Sequence, residues 1–258
     1  MVTITTDGAP AMIGREKGAV ARMKEDNPEL ISDDCIIHQS VLCSTLSDEH
    51  AEVTNTIMTM INDEFLSEVD ANAEDLLLHN NVRWLSKGRV LERFWSIRRK
   101  VTAFLEELRS QKATEFSLFL KDEKRMDNVA FLVDITSHPY ELNLKLQGKD
   151  NTICELMTAV RSFQRKLAVF KEDLQGDCAH FPAVQEQVQG QRDVSSFVDF
   201  VDKLIFNFSN RFYSFRFGQQ LTLFIQNPFL ITDVSGYLKR SHTALQMGKC
   251  WASPDATD

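Results

Sequence analysis

Asp7 closes a short run of Thr and Ile, Thr3-Ile4-Thr5-Thr6, and is followed by Gly8-Ala9-Pro10-Ala11-Met12. β-branched residues ended by a Gly-containing turn read as a strand that delivers a carboxylate to a turn. Such a carboxylate is fixed from behind and open in front, which suits coordination of a divalent cation. Phosphodiester chemistry with two metals needs several such acids converging on Mg²⁺, an ion that takes oxygen ligands. Asp7 has no acidic neighbour upstream, and Asp33-Asp34 read as solvent-facing residues just before a second strand, Cys35-Ile36-Ile37-His38. Asp7 is therefore expected to be a relic metal carboxylate, inactive alone. Its plainer role is to start a turn or cap the next helix.

Cys35-x2-His38 extends to Cys43 and His50, formally four zinc ligands. The spacing fits no common zinc pattern and half of the set falls on an expected helix, so a buried Cys and a hydrogen-bonded His are expected and no metal. His79, His138, His180 and His242 stand alone, without Cys or acid at ligand spacing. A glycine-rich phosphate loop and a G-x-S-x-G elbow are absent.

Asn81-Val82-Arg83-Trp84 opens a basic stretch: residues 83–100 hold seven Lys or Arg against one acid, Glu92. On a helix, Arg89, Arg93 and Lys100 fall within about 40° of one another. That stripe, with Arg83 and with Trp84 as a stacking platform, is the candidate nucleic-acid contact. The alternative is a solvated helix face with the Trp plugging the start of a bundle.

The elements that must carry these residues divide in two. Residues 1–82 read as mixed α/β: a strand to Asp7, a helix from Ala11 to Asp26 broken by Asn27-Pro28, the second strand, and helical spacing from Gln39 to about Leu46 and again from Ala51 to Val69, with Val53, Ile57, Met60, Ile61 and Phe65 on one face. Beyond residue 82 the pattern is helical. Val90, Phe94, Ile97, Val101, Phe104 and Leu108 form one apolar seam, Ile153, Leu156, Val160, Phe163, Leu167, Phe170 and Leu174 a second, and Phe197, Val201, Leu204, Phe208, Phe212 and Phe215 a third. Steps of three and four residues make narrow seams that need partner helices, as in a bundle. Residues 129–148 read as two short helices divided near Pro139, residues 177–194 as a loop after Gly176, and residues 231–258 as a poorly ordered tail. The expected domains are thus 1–82, 83–230 and 231–258.

The net charge of −8 opposes a surface that binds nucleic acid everywhere, though not a local basic patch. Five scattered Cys and no leader pattern imply reduced thiols in nucleus or cytoplasm. No apolar run reaches the ~18 residues of a membrane span, so no membrane partner is expected.

Taken together, Thr6-Asp7-Gly8-Ala9-Pro10-Ala11-Met12, Cys35-x2-His38, Asn81-Val82-Arg83-Trp84-Leu85-Ser86-Lys87-Gly88, Phe131 to Thr136, Leu142 to Gly148 and Phe224-Ile225-Gln226-Asn227-Pro228-Phe229 resemble the hAT-family transposases, above all their domesticated vertebrate members. Relatives with BED-type and MYM-type zinc fingers are similar. The resemblance implies an α/β region that is a truncated RNase H-like remnant, followed by an all-helical insertion-type bundle. It implies that Asp7 is the second of three metal carboxylates, that Cys35 and His38 lie beside the active site on the following strand, and that Arg83 and Trp84 open the insertion and hold unpaired bases. The first Asp and the third acid have no counterpart, nor does the carboxy-terminal dimerisation segment. The expected function is therefore a catalytically inactive, transposase-derived helical scaffold in the nucleus, without cofactor. Mg²⁺ enters only if the missing carboxylates are supplied. Expected partners are weakly bound DNA, or a protein bound through the helical seams or an exposed sheet edge. The alternatives are a metal-dependent phosphodiester-processing enzyme and a fragment without independent role.

Overall fold

The computed structural model describes residues 3–62, 84–108, 110–149, 151–187 and 193–213. The chain divides into two compact units: residues 1–43, 142–165 and 206–258, and residues 44–141 and 166–205. The expected boundaries at 82/83 and 230/231, Phe65, Phe215 and the tail lie outside the described residues.

The first unit opens with β1 (Thr3–Thr6), α1 (Pro10–Ile13), α2 (Ala19–Asp26), β2 (Ile31–Asp34) and α3 (Ile36–Cys43). β1 and β2 run parallel, pairing Thr3 with Ile31, Ile4 with Ser32, Thr5 with Asp33 and Thr6 with Asp34. Parallel neighbours need a crossover, which α1 and α2 supply. The helix expected over residues 11–26 is split. A β-carbon on Gly18 would lie 2.5 Å from the Gly14 carbonyl oxygen and 2.8 Å from that of Met12, so the chain folds back on itself there too closely for a continuous helix.

The second strand is also corrected. It is Ile31–Asp34, so Asp33 and Asp34 lie within it and not before it, while Cys35 only links it to α3. Ile36, wholly buried, turns inward on that helix. The remaining core of the unit comes from Leu142 and Leu146, from Ile153, Leu156, Val160 and Phe163, and from Phe208 and Phe212. Phe163 meets Phe208 at 5.1 Å. Asn207 Nδ2 donates to the Cys43 carbonyl (3.1 Å) and Arg211 Nη1 to Gln39 Oε1 (2.9 Å), tying down α3.

The second unit holds α4 (Asp48–Asn62), α5 (Trp84–Glu107), α6 (Gln111–Lys121), α7 (Glu123–Leu146) as far as residue 141, α8 (Ile153–Gln175) from residue 166, α9 (Pro182–Gln187) and α10 (Ser195–Arg211) as far as residue 205. Two expectations fail here. Residues 129–148 are not two helices: α7 runs unbroken through Pro139. Losing the Pro139 hydrogen bond costs about 3 kcal/mol. Continuity buries Phe131, Leu132 and Ile135 before the proline and Leu142 and Leu146 after it, at roughly 1.5–3 kcal/mol per side chain, which outweighs that cost. Residues 177–194 are not all loop, because Pro182 opens α9, where its missing N–H and fixed φ do no harm.

Candidate functional site

Each unit carries one candidate. In the first, β1 and β2 end side by side. Asp7, exposed just past β1, accepts the Ala9 N–H at Oδ1 (2.9 Å), so the carboxylate starts its own turn. The Gly8 N–H donates to the Thr6 hydroxyl (3.3 Å). Asp34 closes β2, and its Oδ1 lies 3.5 Å from the point where a Gly8 β-carbon would stand. Burial, and then the Asp34 charge, raise the Asp33 carboxyl above its ordinary range. The parallel register thus brings Asp34 to the same sheet edge as Asp7, which reading Asp33-Asp34 as pre-strand residues had missed.

Cys35 donates its N–H to the Thr6 carbonyl (2.8 Å), and half-buried His38 stands on α3 and not on a strand. Cys43 is fully buried, and burial pushes its thiol up to about 12 against the opposing pull of Arg211. It is no thiolate nucleophile at neutral pH. Among the described residues, no group of three or more His, Cys, Asp or Glu is placed to hold a metal ion. A two-metal centre needs several converging carboxylates, and the described set does not fit one.

In the second unit, α5 presents the basic residues. Arg83 lies outside the described residues, and Trp84 is the first residue of α5. Arg89, Arg93 and Lys100 are exposed. The Arg89 guanidinium stands 5.1 Å from the centre of the Tyr140 ring on α7. Arg98 and Arg99 serve another purpose. Glu186 of α9 accepts from Arg98 Nη2 (2.6 Å) and Arg99 Nη2 (3.2 Å) at Oε1, and from Trp95 Nε1 (3.2 Å) at Oε2. Arg98 also lies 3.8 Å over the Trp95 ring and donates to the Trp95 carbonyl. The Arg98 hydrogen bond comes first among the causes that hold the Glu186 carboxyl below its ordinary range.

Asp134 on α7 is 6% exposed, and its oxygens accept the N–H groups of Ala183 (3.2 Å) and Val184 (3.0 Å) at the start of α9. Burial pushes its carboxyl up to about 6, against the two hydrogen bonds. Neither Asp134 nor Glu186 stood out in the sequence. The only local hints are the Trp95-x2-Arg98 spacing and Pro182 as a helix opener.

Among known proteins, the general transcription factor II-I repeat domain-containing protein 2 of Bos taurus is 28% identical over 250 residues, covering 89% of this chain and 26% of the relative. Its counterpart in Mus musculus is 27% identical over 252 residues, covering 90% and 26%. The chain thus spans about a quarter of the length of these curated relatives. No solved structure matches. The FAM200/GTF2IRD2 helical domain matches residues 34–175, more than half of the chain, including α3 to α8, the basic stripe and Asp134 but not Asp7. The chain therefore belongs to the FAM200/GTF2IRD2-like family of helical domains.

Proposed function

We propose that this protein is a transposase-derived, non-catalytic helical module that binds a macromolecular partner in the nucleus. The observation that carries the reading is where the family match falls: it covers the helical body from residue 34 and leaves the strand tip at Asp7 outside. The Asp7 carboxylate, which accepts the Ala9 N–H, supports the same reading. On this proposal, residues 1–82 descend from an RNase H-like sheet of the hAT type and residues 83–230 from its helical insertion. Nuclear residence rests on the transcription factor in the relatives' names.

The partner surface proposed is the exposed face of α5. Arg89, Arg93 and Lys100 would neutralise phosphates of weakly bound DNA, a contact that depends steeply on salt. Arg98 is held out of that role, its side chain 15% exposed and bonded to Glu186. A DNA-binding titration across a salt series tests the assignment. Arg89→Ala with Arg93→Ala should weaken binding to any sequence and lower the salt slope by about two. Unchanged affinity and slope would make the stripe a solvated surface.

One observation favours a second reading. Asp7 and Asp34 reach the same edge of a parallel sheet, where strand ends position ligands in α/β folds. Were further carboxylates brought to that edge, a metal-dependent phosphodiesterase would become the better description.

A further inference from the structure

The second unit holds two imidazoles, one buried (His50) and one half-buried (His138), that neither the strand tip nor the basic face uses. His50, 3% exposed in the first turn of α4, has its Nδ1 2.6 Å from the Ser47 hydroxyl. Its ring meets Phe200 edge-on at 5.0 Å and Phe131 at 5.6 Å. His138 stacks on Phe170 at 4.1 Å, meets Phe181 edge-on at 6.1 Å and is hydrogen-bonded to the His180 backbone. Phe131 and Phe181 stack at 6.1 Å, so both imidazoles belong to one aromatic network. In each, Nε2 is closed off from solvent and has no hydrogen-bond partner.

A neutral imidazole carries one N–H and one lone pair, whereas the charged ring carries an N–H on each nitrogen. Each of these rings finds a partner at one nitrogen. Where the neutral ring keeps its N–H on the partnered nitrogen, charging adds a second N–H at a closed-off Nε2 that has no partner, and in either tautomer it places a charge among aromatic rings, a costly arrangement. We propose that this His–Phe network is an acid-sensitive latch: protonation of His50 and His138 loosens the packing of α4, α7 and α10 within the second unit.

His50 faces Glu49 on α4, which favours its charge, and Lys203 on α10, which opposes it. His138 faces Lys166 on α8 and His180 beyond it, both opposing. Asp173 is engaged with His180 (3.2 Å), and Asp134 with the start of α9. Burial is the largest cause for both rings, lowering His50 below its ordinary value and His138 to about 4. A lowered pKa in the folded state means that the unfolded chain takes up the proton first. The stability these groups give is complete above the ordinary value of about 6.5. It falls as pH drops toward about 4.

The test is urea unfolding of the full chain between about pH 7 and pH 4, wild type against the double variant His50→Gln, His138→Phe. Gln keeps a capping partner for Ser47 three residues on, and Phe keeps the stack on Phe170. Across the window the wild-type folding constant should fall on the order of a hundredfold more than that of the variant. Parallel profiles would overturn the proposal. Imidazole NMR titration of the wild type gives the same answer without any variant. The His138 midpoint should lie well below the free-histidine value, and a midpoint at or above that value would overturn the latch.

Discussion

Asp134 places a carboxylate in the interior of a helix and turns both of its oxygens to the first N–H groups of α9, forty-nine and fifty residues further on. An anion at a helix start satisfies donors that the helix itself cannot. Asp134→Ala leaves both buried N–H groups without a partner, and should destabilise the fold by roughly 2–3 kcal/mol in urea unfolding. Its pH dependence opposes that of His50 and His138. A carboxyl raised to about 6 when folded favours the native state most below its unfolded value, and that contribution is lost as pH rises through about 6. At this scale the sequence was legible where chemistry is local. Asp7 was readable as a strand-end carboxylate because its turn partner, Ala9, is two residues away. Asp134 and Glu186 were not, because their partners are set by tertiary packing.

Seams of apolar residues fix the helices, and they differ in how plainly they read. All seven positions of the α8 seam, Ile153 to Leu174, are buried. On α5, Phe94 and Val101 of the expected seam are buried together with Leu91, Trp95 and Leu105, while Val90, Ile97, Phe104 and Leu108 are half-buried. The Trp95 and Arg98 bonds to Glu186 accompany this rotation away from Val90, Ile97 and Phe104. Pro139 misled because a proline reads as a break, yet burial on both sides carries α7 through it. A close approach between elements is equally hidden. A β-carbon on Gly88 of α5 would lie 2.8 Å from the Thr136 hydroxyl and 3.2 Å from Thr136 Cβ on α7. Thr136 cannot swing aside freely, since its hydroxyl donates to the Leu132 carbonyl (2.7 Å). Gly88→Ala gains at most about 1 kcal/mol of helix propensity against about 1–3 kcal/mol of overpacking. The variant should therefore lose about 1 kcal/mol, seen as a lower urea midpoint at unchanged slope. An increase in stability would show that the two helices can part at no cost.

For the whole molecule, the α/β-then-helical order was legible from the change in periodicity after the first strands. The mostly helical body agrees with family membership over residues 34–175. Strand register was not legible, because a four-residue strand of Ile31-Ser32-Asp33-Asp34 carries little apolar pattern. That register decides whether acids gather at the strand tip. None of the helices formed by the described residues is long and apolar enough to cross a membrane. The central claim, a helical binding module without metal chemistry, is tested most directly by calorimetric titration of Mg²⁺ into the full chain. The account predicts no saturable binding and no difference between wild type and Asp7→Ala. A tight two-ion isotherm that Asp7→Ala abolishes would contradict it.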